Sequence, residues 1–174
     1  MYTEQELRVL NDCGKEQTKI QTYLDSIPFD GRVYDTGEYE ARSFRKTVKD
    51  GQGLCLCAAL TAAHILEYNG QEPLLLDIWS RPLEHTVAIY QNGKVGSLGK
   101  SRQDGAGGQP STFDSVEEVA QYYANFFRGI GWEVEAFGVI DLSKIDDIDW
   151  RFELRNLDEL GICQRINKFP HYKI

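Results

Sequence analysis

Apolar residues crowd most densely between Leu54 and Leu66, where Leu56, Ala58, Ala59, Leu60, Ala62, Ala63, Ile65 and Leu66 leave almost no polar face. Such a stretch predicts a helix at the centre of a fold, with alanines that let neighbours pack close. Gly70 is its C-cap signal, so the helix spans about Leu54 to Asn69. Upstream, Thr3-x-x-Glu6 is a capping box ahead of Leu7, Val9 and Leu10. A second amphipathic helix runs from Lys15 to Ser26, with Ile20, Tyr23 and Leu24 on one face, and Ile27-Pro28 ends it. Downstream the period shortens. Pro73–Trp79 reads as a buried strand, Thr86–Tyr90 as a second, and Asn92-Gly93 as the hairpin turn into Val95–Leu98. Gly99–Pro110 reads as a mobile, Gly-rich loop able to act as a lid. Ser115-x-x-Glu118 caps a helix over Val116–Phe127, and Trp132–Ile140 is a last strand. Residues 29–44 and those after Trp150 give no clear period. Runs of like elements predict an α+β fold with a mainly antiparallel sheet, in one domain of 174 residues with its core at about 45–150 and N-terminal helices at 3–26.

Charge narrows the partners. A net charge of −8 argues against nucleic acid and anionic membrane surfaces, which select basic proteins. The apolar runs fall short of a bilayer span. The opening Met1-Tyr2-Thr3-Glu4-Gln5-Glu6 is too acidic and polar for a secretory leader, which predicts a cytoplasmic protein. The cysteines Cys13, Cys55, Cys57 and Cys163 are scattered, so neither a disulfide framework nor a metal set is expected. No cofactor or metal is called for.

Cys55 carries the candidate chemistry. Opening a buried helix, it meets unpaired N–H groups and the positive end of the helix dipole, which favour a thiolate. Gly53 allows a tight turn in front of it. His85, entering the strand Thr86–Tyr90, is the candidate base. Cys57 lies about 200° round the helix from Cys55 and reads as core. His64 reads as a filler of the central helix and His171 as a solvated residue near the end of the sequence. A third group should orient the imidazole. The strand Val95–Ser101 holds no carboxylate, leaving Ser97, Ser101, Asp104 and Asp77 as candidates. Gln52, three residues before Cys55, is a candidate oxyanion donor beside the Cys55 N–H. Asp141, Asp146, Asp147 and Asp149 lack the glycine and glutamate of an EF-hand loop and read as a solvated acidic segment.

The segment Gly53-Leu54-Cys55-Leu56-Cys57-Ala58-Ala59-Leu60 resembles the nucleophile helix of the transglutaminase-like superfamily. Pro73-Leu74-Leu75-Leu76-Asp77, His85-Thr86-Val87-Ala88-Ile89 and Gly96-Ser97-Leu98-Gly99-Lys100-Ser101 are similar, in the same order, to strands of uncharacterised bacterial transglutaminase-like proteins. The resemblance covers about residues 45–150. It implies a papain/transglutaminase-like α+β fold, with the nucleophile helix packed on the sheet. It also implies a cysteine-dependent hydrolase or acyltransferase acting on an amide or ester bond of a protein, peptide or small substrate through Cys55 and His85. Val95 stands where the family commonly has tryptophan, and the usual aspartate is missing. The alternative is a catalytically degenerate binding module on the same scaffold.

Overall fold

A computed structural model describes residues 1–174, the side chain of Tyr34 excepted. Helices α1 (Glu4–Cys13), α2 (Gln17–Ser26), α3 (Arg32–Asp35) and α4 (Phe44–Asp50) precede the central α5 (Cys55–Tyr68). Strands β1 (Leu74–Arg81), β2 (His85–Asn92), β3 (Lys94–Leu98) and β4 (Gln109–Phe113) follow. Then come α6 (Val116–Gly129), β5 (Glu133–Asp141), α7 (Ile162–Ile166) and β6 (His171–Lys173). The six strands form one open antiparallel sheet in the order β4-β3-β2-β1-β5-β6.

The sheet separates two apolar layers. On one face α5 lies against β1 and β2, and α1, α2 and α4 cover it from outside. Every residue from Leu56 to Leu66 is therefore buried, as an all-round apolar helix requires. The other face is covered by α6, which brings Val119, Ala120, Tyr123, Ala124 and Phe127 onto Leu76, Ile78, Val87 and Ile89. Alternation along β2 sends Ala88 and Tyr90 to the α5 face, and Val87 and Ile89 to the α6 face. The capping boxes and serine caps expected for α1 and α6 are formed, by Thr3 with Glu6 and by Ser115.

Several elements depart from the sequence expectation. The strand β4 occupies polar residues 109–113, whose edge position leaves little hydrophobic alternation to read. Gly99–Pro110 is pinned rather than built as a free lid. Tyr122 and Tyr123 donate hydroxyl hydrogen bonds to the carbonyls of Gly105 (3.0 Å) and Gly107 (2.6 Å), and Gln21 of α2 bonds both the N–H and the carbonyl of Gly99. Residues 29–44 are ordered by charge rather than by periodicity. Arg42, 1% exposed, donates to Asp30 (2.8 Å), Asp50 (3.1 Å) and Glu40, while Lys46 and Arg32 complete the network. The hydrogen bonds of these cations hold all three carboxyls below their ordinary range against the opposing effect of burial, with Arg32 the strongest influence on Asp30. Among the described residues no helix is long and apolar enough to cross a membrane.

A buried carboxylate deprived of its cation is costly, so Arg42→Met should lower the unfolding free energy by about 3–5 kcal/mol. Arg8→Ala, which breaks only the exposed pair with Glu4, should cost less than about 1 kcal/mol. Urea unfolding of the two variants checks both; equal midpoints would contradict the ranking.

Candidate functional site

The turn in front of α5 places Cys55. Gly53 forms a parallel bridge to Phe29, donates its N–H to the Pro28 carbonyl (3.1 Å) and accepts from the Asp30 N–H (3.2 Å). A Cβ at Gly53 would stand 2.7 Å from the Cys57 Cβ, so the approach to the helix requires glycine. Cys57 faces inward. Its sulfur accepts the Arg42 N–H (3.3 Å) and contacts the Glu40 carbonyl, which ties the helix start to the charged network.

Cys55 is partly buried and borders two cavities. The larger is a cleft of about 450 Å³ walled by Phe29, Tyr39, Leu54, Asp77, Glu84 and Cys163 among others. The smaller is a chamber of about 30 Å³, lined by His85, Ser101, Arg102, Gln103, Phe127 and Trp132, and bordered by Cys55 from one side. The chamber lies where the β2–β3 ladder stops, at the Ala88–Leu98 pair, so residues 85–87 have no β3 partner on that edge. There the backbone N–H groups of Thr86 and Leu56 act on the Cys55 sulfur and favour its ionised form.

The expectation of a lowered thiol pKa is overturned. Burial is the largest influence and pushes the Cys55 thiol up to about 11; the two N–H donors pull against it, while Cys57 and Asp77 add to the rise. Desolvation outweighs the helix start because the charged form loses more water than two N–H groups replace.

His85 is 3% exposed and opposes Ile78 in the register, which puts its ring on the α6 face. The ring packs 5.3 Å from both Tyr123 and Phe127. Burial lowers its pKa to about 4, against a smaller opposing effect of the Ala106 carbonyl. Nε2 is buried with no hydrogen-bond partner among the described residues. A neutral imidazole keeps one nitrogen as an acceptor, and the unpartnered Nε2 is available for that role.

The other sequence candidates separate. Ser101 lines the chamber with Cys55 and His85, its hydroxyl bonded to Gln103. Ser97 lies elsewhere on the α6 face, where its hydroxyl pairs with Tyr123 (2.7 Å) and accepts the Gln109 N–H. Gln52 borders neither the cleft nor the chamber. Asp104 borders neither as well, and the group nearest the role of orienting His85 is the Ala106 carbonyl of the pinned loop. Asp77 borders the cleft on the α5 face. His171 is no solvated tail residue: its side chain is 4% exposed and bonds Asp77. Among the described residues, no group of His, Cys, Asp and Glu could hold a metal ion. The residues missed from sequence are Thr86, Tyr39, Glu84, Cys163 and His171. For Thr86 a signal existed: alternation with Ala88 and Tyr90 turns its side chain toward α5. No protein-family model matches the chain, and no curated protein matches it.

Two titrations follow. Alkylation of Cys55 by iodoacetamide should still be climbing above about pH 9, where a free thiol of pKa about 8.5 levels off. Site-resolved mass spectrometry measures it, and a plateau at neutral pH would contradict the buried neutral thiol. His85 contributes stability in full above its free value of 6.5, and that contribution is lost as pH falls toward 4. His85→Phe should flatten this part of the stability–pH curve measured by urea unfolding.

Proposed function

We propose that this protein is a cysteine-dependent hydrolase or acyltransferase of amide or ester bonds, with Cys55 as nucleophile and His85 as base, on a papain/transglutaminase-like scaffold. One observation carries the reading. Cys55 stands between a cleft of substrate size and a chamber lined by His85, whose Nε2 is buried and has no partner among the described residues. A chamber of about 30 Å³ accommodates one water, and proton transfer to a general base proceeds directly or through one water.

Burial of both groups favours a neutral thiol–imidazole pair at rest over a preformed ion pair. The thiol proton passes to His85 Nε2 as sulfur attacks the carbonyl carbon. The tetrahedral oxyanion takes the Cys55 N–H, one of the helix-start donors without an intrahelical partner. Collapse breaks the bond to the leaving group, which takes the proton from His85 and leaves an acyl-thioester on Cys55. Water or an amine then attacks that thioester with His85 as base, releasing the acyl product and restoring the thiol.

The second reading, a binding module without turnover, draws on one feature: the His85 ring lies on the sheet face opposite α5. Acetylation by p-nitrophenyl acetate separates the two. Wild type should acquire an acetyl group on Cys55 by peptide mass spectrometry, and Cys55→Ala should lose it. His85→Gln should slow acylation by about 10²–10⁴, the usual contribution of a general base. A wild-type Cys55 that stays unmodified, or a His85→Gln variant as fast as wild type, would favour the binding module.

A further inference from the structure

A row of side chains crosses the α5 face of the sheet at the level of the nucleophile. Thr86 of β2 pairs with Asp77 of β1, Asp77 with Gly138 of β5, and Gly138 with His171 of β6. Gly138 makes the row continuous. A Cβ there would stand 2.6 Å from His171 Nε2, so only glycine lets the imidazole lie across β5 and reach β1. The Asp77 carboxylate accepts from Thr86 Oγ1 (2.9 Å), Trp79 Nε1 (3.1 Å) and His171 Nε2 (3.2 Å). Thr86 lines the same cleft as Cys55 and Asp77, and its backbone N–H favours the ionised form of the Cys55 thiol. Two hydrogen bonds thus join the β6 imidazole to Thr86, on the wall of the cleft that Cys55 borders.

The protonation state of His171 follows from its partners. Nδ1 lies 2.8 Å from the Phe169 carbonyl oxygen and Nε2 lies on a carboxylate oxygen. Both nitrogens face acceptors, and only an imidazolium donates from both. The indole of Trp79 stacks on the ring at 4.1 Å and 20°, a favourable seat for a cation. The charges that reach the ring are Asp77 from β1 and Glu84 from the β1–β2 turn; β5 offers Gly138, and on β6 the other titratable side chains are Tyr172 and Lys173. Burial pulls the ring toward neutrality, while Asp77, the Phe169 carbonyl and Glu84 together raise its pKa above 6.5.

We propose that His171 is a positioning residue for Cys55, acting through Asp77 and Thr86 as the cation that neutralises the carboxylate beside the nucleophile. The field of Asp77 opposes ionisation of the Cys55 thiol. With His171 charged, that field is compensated and Asp77 holds Thr86 in place on the cleft wall that Cys55 borders. Without the charge, Asp77 faces the thiol alone. This inference takes from the preceding reading only that Cys55 is the reacting thiol, and its test requires no turnover.

The test is a charge cycle read by iodoacetamide alkylation of Cys55 at neutral pH. His171→Gln should slow alkylation about tenfold, the effect of one further unit on the thiol pKa. Asp77→Asn/His171→Gln, which removes both charges, should bring the rate back to within about threefold of wild type; that return distinguishes charge compensation from loss of packing. Should His171→Gln not fold, ¹⁵N NMR of the wild-type ring decides. Both nitrogens should be protonated at pH 6.5, and the titration midpoint should drop in Asp77→Asn. A wild-type midpoint at or below 6.5, unchanged alkylation in His171→Gln, or a double variant as slow as the single would each overturn the proposal. Absence of acylation by the ester probe, with this cycle intact, would remove the enzyme reading alone.

Discussion

The guanidinium of Arg42 is the fixed point from which the site is built. It holds Asp30, Glu40 and Asp50 from three parts of the chain, and the N–H of the same residue bonds the Cys57 sulfur inside α5. Without this cluster, residues 28–43 would have little apolar surface to bury and no ladder to join. With it, they wrap the start of α5, place Phe29 and Tyr39 on the cleft wall, and hold Gly53 against Pro28. A buried ion network of this kind adds geometric definition more surely than net stability, since desolvation of its members offsets much of their attraction. Here that definition falls on the turn that aims Cys55.

Burial then sets the electrical character of the site. The thiol and the imidazole are both driven toward their neutral forms, in opposite directions along the pH scale. In a less enclosed site a helix start would lower a cysteine pKa, but two N–H donors do not replace a hydration shell. Two neutral groups across such a chamber store no charge at rest. The pinned loop fits this arrangement. Its Ala106 carbonyl can steady a neutral imidazole but offers less than a carboxylate would to an imidazolium.

The large periodic elements were legible in the sequence because each carries its own signal. The α5 helix announces itself by apolarity on all sides, α1 and α6 by caps and stripes, and β1–β3 by short apolar runs around Asn92-Gly93. Elements held by long-range partners gave no such signal. The strand β6 exists because Gly138 admits His171 to Asp77, a pairing across 94 residues. Residues 29–44 depend on charges that meet only after folding. At the site, Cys55 followed from its place before an all-apolar helix. His85 followed from its place at a strand start, yet its sidedness was open to reading in Thr86-Val87-Ala88-Ile89-Tyr90. Ala88 is the residue small enough to sit beneath an alanine-rich helix, which assigns Thr86, and not His85, to the α5 face.

That sidedness reframes what the two faces of the sheet contribute. The α6 face holds the His85 imidazole, driven toward its neutral form, in an aromatic and carbonyl setting. The α5 face holds the cleft, the Cys55 thiol and the Asp77 carboxyl paired with the His171 ring. Placing both ionised groups on the cleft side keeps the α6 core free of unpaired charge, whose burial would cost several kcal/mol. The two faces meet at the edge of β2 beyond the last β3 pair, where Cys55 and His85 border one chamber. A shorter β3 therefore does what a longer one would prevent: it leaves an opening through which a thiol on one side of the sheet and an imidazole on the other border a single chamber.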